Sequence, residues 1–584
     1  MSLLRRTVPM LALIGVSVGS LAAQIPINRG RPAGAATAPR MLVATPYTDR
    51  ASDSAAAVAV GAALRTKFDR QVGTTFFVIP RDQMNHALAE FSYPADAILN
   101  RESAYRLASS LQSRTLLFTE LNREGTQFRA RARLSTGADD PGNTIVVRQL
   151  PGQSLQQFGE AVAAGFAQVV RAQADAKGCM DQLATSPVKA AESAAKALRA
   201  YPAHGLAHYC LAQLAKSRSV ADPAYVPELD LTVRADSLSL KALGELATYY
   251  DSKTDTANVV LKWQQIIEAA PTNRTLIEAA SKVFRNYGRP DAAEIVANRG
   301  IALDSLDTAM WDLRSSACLF QSKYTCSVGS LEQIILIDST KAADSNFVFR
   351  VVVTAGALFQ GDSVTWVDST ALKATYLRWA EFGASKFPAN KNLVGQLLAA
   401  YSINGMSDKI LTTTDRVLAL DSSDVTPALT AVDILLKGKR WADAARYGVL
   451  VAAKGDDQQK LAIAVNFTNA ARGLLTTAPT DPEGAYMLLH VAVPASTDPR
   501  IVPSANLLMG YAALQTAGKY DTQAEQGKSC DIARRMDALL DESNTGFTIG
   551  KTGPGANPVT IDKMLANVVT YKQRTQSMIH AYCR

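Results

Sequence analysis

The sequence is poor in the residues that most often carry chemistry. It has five histidines in 584 residues. No Ser-His-Asp set, Cys-His set or carboxylate pair falls in a recognisable motif. Catalysis, a bound metal and an organic cofactor are therefore not expected. The formal charge is +8, but no dense Lys/Arg block occurs, which argues against nucleic-acid binding. Beyond the first residues no uncharged apolar run approaches the ~20 residues of a spanning helix, so no membrane span is expected. Hydrophobic residues at 47% with 20% charged exclude a disordered chain. The length exceeds one compact core and implies several domains or a repeat array.

Two apparent motifs fail on inspection. "GVSVG", Gly15 to Gly19, matches the nucleophile elbow of hydrolases, but lies in a segment that processing removes. "SNTGFTIGKTGPGANP", Ser543 to Pro558, sets Gly-Lys-Thr behind a glycine. Only three residues separate Gly546 from Gly550, where a phosphate-binding loop needs four. A helical pattern precedes it, and Gly553-Pro554-Gly555 prevents the helix whose N-terminus would hold phosphate. The stretch reads as a flexible connector to the last helix.

The N-terminus supplies a basic "MSLLRR", an apolar "VPMLALIGVSVG" and a small-residue "SLAAQ". Together they predict a secretory leader over 1–23, cut between Ala22 and Gln24. No cysteine follows for lipid attachment. The chain is expected to be exported, soluble and periplasmic or otherwise extracytoplasmic. Residues 24–40, rich in Pro, Gly and Ala, read as a flexible linker.

A small α/β domain is expected over 41–176. "MLVATPY" and "TTFFVIP" read as strands, with a helical pattern from Ser54 to Phe68 between them. "RDQMNHALAEF" and "RESAYRLASSLQ" read as amphipathic helices. "TLLFTEL", "TQFRARARL" and "NTIVVRQL" are strands, the first two joined by a turn at "NREG", and "SLQQFGEAVAAGF" is a closing helix. This order resembles the TolB amino-terminal-like domain that precedes tetratricopeptide repeats in many bacterial proteins. The resemblance implies no catalytic residues.

From 177 to 545 the pattern is helical. Helix ends recur at Pro202, Asp236, Pro271, Asp304, Asp338, Pro388, Asp421 and Gly455, in steps of 34, 35, 33, 34, 50, 33 and 34 residues. A period near 34 is the tetratricopeptide signature. The long step is one repeat plus an insertion that includes Gly361 to Ser369. Asn273 to Asp307 resembles the repeat most closely. Small Ala280, Ser281 and Ala293 stand where two helices cross, Phe284 fills the space beside them, and Gly288 makes the turn. It has Ile277 where the repeat often has Trp and Ser305 where it often has Pro. The fold class is thus mainly α: a tetratricopeptide-type solenoid behind a small α/β domain. A connector and C-terminal helix occupy 546–584.

Candidate interaction residues follow from these periods. Arg129, Arg131 and Arg133 alternate with apolar residues, which puts three guanidinium groups on one sheet face. That face reads as solvated, or as a surface for an acidic partner. Lys282, Arg285 and Asn286, with Glu278, should face the groove of the clearest repeat and could hold the carboxylates of a peptide end. His204 and His208 stand four apart on one helix face but lack further ligands, so surface and packing roles are expected.

Six cysteines bound for an oxidising compartment imply disulfides. Repeat geometry pairs Cys318 with Cys326 across a helix turn, and Cys179 with Cys210 on neighbouring parallel helices. Cys530 and Cys583 remain, on the two sides of the connector. The expected function is a non-enzymatic periplasmic scaffold binding other proteins or peptide segments, envelope components among them. The alternative is an envelope component that recognises cell-wall or polysaccharide fragments.

Overall fold

The computed structural model describes residues 38–73, 75–360, 369–553 and 556–583. The expected leader, the linker up to residue 37 and the insertion at 361–368 lie outside them. The chain divides into two compact units, Met1–Leu276 and Ile277–Arg584.

In the first unit, five strands form one sheet in the order β2-β1-β3-β4-β5. They are β1 (Arg40–Val43), β2 (Phe77–Val78), β3 (Thr115–Glu124), β4 (Gln127–Ser135) and β5 (Gly142–Arg148). β1 lies parallel between β2 and β3, and β3-β4-β5 is an antiparallel meander. The helices are α1 (Ser54–Val72), α2 (Arg81–Glu90), α3 (Arg101–Ser110) and α4 (Leu155–Gly165). Side chains alternate along each strand, so the sheet has two apolar faces. Met41, Val43, Leu117 and Ala132 pack with α1 and α4, while Leu42, Leu116 and Phe118 pack with α2 and α3. Every predicted element of this domain is present. β3 runs three residues further than its pattern implied, so the hairpin turns at Gly125 and Thr126.

The same unit continues as three helix pairs: α5 (Ala167–Gln182) with α6 (Pro187–Ala200), α7 (Gly205–Arg218) with α8 (Tyr225–Ala235), and α9 (Leu240–Ser252) with α10 (Thr256–Ala269). α11 (Arg274–Asn286) begins at the boundary between the units. The second unit then contains α12 (Pro290–Leu303), α13 (Thr308–Phe320), α14 (Tyr324–Ile337), α15 (Ser345–Gly356), α16 (Ser369–Lys386), α17 (Lys391–Ile403), α18 (Ser407–Leu420), α19 (Thr426–Lys437) and α20 (Trp441–Lys454). Longer helices close it: α21 (Asp457–Thr476), α22 (Pro482–Ala495), α23 (Val502–Gly527), α24 (Cys530–Gly550) and α25 (Pro558–Tyr582).

The 34-residue period has a local cause. Asp236, Asp304, Asp338 and Asp421 are the residues that end α8, α12, α14 and α18. Each carboxylate accepts the N–H two residues on, at 2.9–3.2 Å, an Asx turn that stops the helix and aims the chain into the next pair. Within the pairs a second signal keeps the same step. Thr254, Gly288, Ser322, Gly405 and Lys439 all have φ between 55° and 71° at the turn from first to second helix. Only glycine takes that conformation without strain, so the residue type at Thr254 and Lys439 gives no sign of the turn, whereas the turn at Ser322 is read from the helices on either side of it.

Over most of its length Ser543–Pro558 is not the flexible connector that the sequence suggests. α24 runs through Gly550, leaving only 551–557 to join it to α25. Gly546 is buried against α23, where an added Cβ would lie 2.6 Å from the Asn506 carbonyl oxygen. The glycines that imitate a phosphate loop permit close helix crossing.

Candidate partner-binding surfaces

The arginine row of β4 divides into two kinds of residue. Arg129 and Arg131 are about one-third exposed and lie within 4 Å of the β3 carboxylates Glu124 and Glu120. Arg131 also donates to Ser237 at 2.8 Å. Arg133 contradicts the expectation of a solvated row: it is 1% exposed. Its Nε donates to both oxygens of Asp236 at 3.0 and 2.9 Å. Its other nitrogens reach the Tyr105 hydroxyl and the carbonyls of Ala138 and Asp140. Asp236 is fully buried and also accepts from the Gly142 N–H and the Thr144 hydroxyl. Arg133 therefore joins the sheet to the turn after α8 and is not available to a partner.

Beside this junction lies a cleft of about 310 Å³, lined by Tyr47, Arg101, Tyr105, Phe118, Glu120 and Arg131 among others. Arg101 is already tied to the carbonyl of Ala269. The cleft mixes aromatic faces with both signs of charge.

The histidines are engaged separately. His208 pairs with Glu228 at 2.7 Å and with the Pro202 carbonyl at 2.8 Å. His204 is fully buried, and its Nδ1 accepts the Ala207 N–H as the cap of α7. Burial pushes the His204 pKa down to about 4 from 6.5. The unfolded chain therefore binds this proton first. The stability that neutral His204 contributes is complete above pH 6.5 and lost as pH falls toward 4, with a ceiling of about 3 kcal/mol. Burial opposes charging of His208 as well, but Glu228 and Pro202 raise its pKa overall, which offsets part of the loss. His204→Asn keeps a capping side chain without the titration. Its unfolding free energy, followed by urea denaturation between pH 7 and 4.5, should fall less steeply than that of the parent.

On α11, Lys282 is exposed and bonds Glu278 at 2.6 Å. Arg285 lies over the ring of Phe320, 5.8 Å from its centroid, and Asn286 is exposed. The predicted cations are thus brought to one surface, each with a neighbour already in place. Phe320, 66% exposed, was not singled out from sequence, although an aromatic at a helix C-terminus beside a turn is a readable signal. A second missed centre is Glu245 on α9, which accepts from Tyr209, Gln213, Lys216 and Tyr225 at 2.7–3.0 Å. Four donors on one carboxylate make it a lock between α7, α8 and α9, with no capacity left for a ligand.

All three expected disulfides are formed: Cys179–Cys210, Cys318–Cys326 and Cys530–Cys583, with Cα separations of 6.2, 5.9 and 5.0 Å. No cysteine is free. No helix among the described residues is long and apolar enough to cross a membrane.

No protein-family model and no curated protein matches the chain. Among solved structures it is similar to MamA, at 13% identity and TM-score 0.25, over 32% of this chain and 93% of that one. The P58(IPK) TPR domain aligns at 13% identity and TM-score 0.19, over 53% and 99% of the two chains. Yeast Tom70 aligns at 10% identity and TM-score 0.20, over 70% and 96%. The helix-pair architecture described above stands on its own geometry.

Proposed function

We propose that the chain is an exported, non-enzymatic scaffold that binds other proteins of the cell envelope through its helix repeats. The observation that carries this reading is the exposed Phe320 with Arg285 above it and Lys282 nearby. Aromatic and arginine side chains dominate binding energy at protein interfaces, and here they stand on a rigid helix-pair frame. The full pairing of six cysteines supports an oxidising compartment. The TolB amino-terminal-like order of the first domain supports the envelope.

Capture from envelope extracts tests the reading. The leaderless chain should retain protein partners, and Arg285→Glu with Phe320→Ala should lower retention about tenfold or more at an unchanged melting temperature. Unaltered capture by that double variant moves the interface elsewhere, and absence of any protein partner sinks the scaffold reading. A second reading, an envelope component that binds saccharide fragments, rests on the cleft at Tyr47 and Tyr105. Aromatic faces beside carboxylates and arginines suit hydroxyl-rich ligands. Retention of glycans and not proteins would favour it.

A further inference from the structure

In the second unit three consecutive helices bring metal-ligand types together. Glu294 stands on α12, Cys318 near the end of α13, and Cys326 is the third residue of α14. The two sulfurs and a carboxylate oxygen of Glu294 all lie within 4.8 Å of one another. Ligands around a tetrahedral zinc ion are about 3.5–4 Å apart, so small shifts suffice once the sulfurs separate. The carboxylate is already oriented. Lys323 and Gln321 donate to its Oε2 at 2.8 and 2.9 Å, and Oε1 accepts no hydrogen bond among the described residues. The Lys323 ammonium also holds the Glu294 carboxyl below the ordinary glutamate range. The frame does not depend on the disulfide. Lys323 N–H donates to the Cys318 carbonyl at 2.9 Å, and the Ser315 and Ser327 hydroxyls bond across α13 and α14 at 2.9 Å.

We propose that Cys318, Cys326 and Glu294 form a redox-gated site for a divalent cation of the zinc class, closed while the disulfide stands and opened by a dithiol reductant. The site does not depend on the scaffold reading. Cys326 is partly exposed and Cys318 is fully buried, so the reductant's thiolate attacks the Cys326 sulfur and Cys318 leaves as a thiolate. The reductant's second thiol then displaces Cys326. Two electrons pass to the cysteines, and the reductant departs as a disulfide. Zinc binding drives off any proton left on either sulfur. Two thiolates and one carboxylate face the charge of the ion and of Lys323, so the loaded site is neutral. Water completes four-coordination. Thiolate ligands select zinc over the oxygen-seeking magnesium and calcium.

The test uses the full chain reduced with dithiothreitol, desalted without oxygen and titrated with Zn²⁺, with Co²⁺ as an optical probe and Mg²⁺ as a control. Reduction also opens the other two cysteine pairs, so the site is read against Cys318→Ser with Cys326→Ser. The reduced parent should bind one more Zn²⁺ than that variant and show a stronger thiolate-to-cobalt charge-transfer band. Mg²⁺ should not compete, and the oxidised parent should bind no Zn²⁺ here. Glu294→Gln keeps the size of the side chain and both thiols. It should weaken this ion's binding about tenfold or more while the charge-transfer band survives at saturation, an outcome that a folding defect does not produce. Equal Zn²⁺ stoichiometry in the parent and the double serine variant, or unchanged affinity in Glu294→Gln, overturns the site. Capture from envelope extracts by the oxidised chain reads the scaffold function separately, so either result stands without the other.

Discussion

Asp236→Asn should lower the stability of the first unit by about 3–5 kcal/mol, the range for removing one partner of a buried ion pair. In a unit of this size that is a fall in melting temperature of roughly 10 °C. The substitution is nearly isosteric, so no cavity accounts for the loss. An amide turned toward Arg133 offers either one acceptor oxygen or an opposed N–H, and it leaves the guanidinium charged inside the protein. The same side chain also accepts from the Gly142 N–H, the Thr144 hydroxyl and the Leu238 N–H. For this reason Arg133→Met combined with Asp236→Leu should recover only part of the loss. It removes both charges, but two backbone N–H groups remain without an acceptor, at about 1–3 kcal/mol each. Hydrogen exchange should place the damage in β4, β5 and the turn after α8, with the second unit unchanged. A loss below about 1 kcal/mol, the range of a surface pair, would show that water reaches this junction.

Arg133 also marks a limit of reading by period. Alternation places it on one face of β4, and that part is correct. What covers the face is set by Asp236, which lies 103 residues away in sequence, and nothing local announces it. The repeat array was legible for the opposite reason. Its boundaries are made by short Asx turns and prolines, so each signal lies within a few residues of the structure it causes. Two of the cysteine pairs, Cys179–Cys210 and Cys318–Cys326, follow from that frame, because a known period fixes which helices are neighbours; Cys530–Cys583 is what remains once they are assigned. Glycine was ambiguous: at Gly288 it makes a left-handed turn, and at Gly546 it admits another helix. The two uses leave the same letter in the sequence. Phe320 and Glu245 were missed because their roles arise from neighbouring repeats, Arg285 in one case and four side chains, three on α7 and one on α8, in the other.

Removing the Cys530–Cys583 bond should have the largest effect of the three disulfides. In the chain-entropy account the contribution grows with the loop closed, about 4 kcal/mol for a separation of 53 residues and about 2.5 for the 8 of Cys318–Cys326. Position reinforces the difference. Cys318 and Cys326 flank a tight turn between α13 and α14, which pack along their lengths and stay together without the bond. Among the described residues α25 packs chiefly against α24, and to a lesser degree against α23. It buries Ile561, Val568 and Met578, while Val559 and Val569 are exposed. The short 551–557 connection holds one end of α25, and the disulfide holds the other to the start of α24. Cys530→Ser with Cys583→Ser should therefore raise hydrogen exchange through the C-terminal half of α25 and lower unfolding free energy by about 2–4 kcal/mol. The corresponding Cys318 and Cys326 pair of substitutions should leave exchange in α13 and α14 close to that of the parent. Unchanged protection of α25 in the first variant would mean that packing against α24 alone secures the end of the chain.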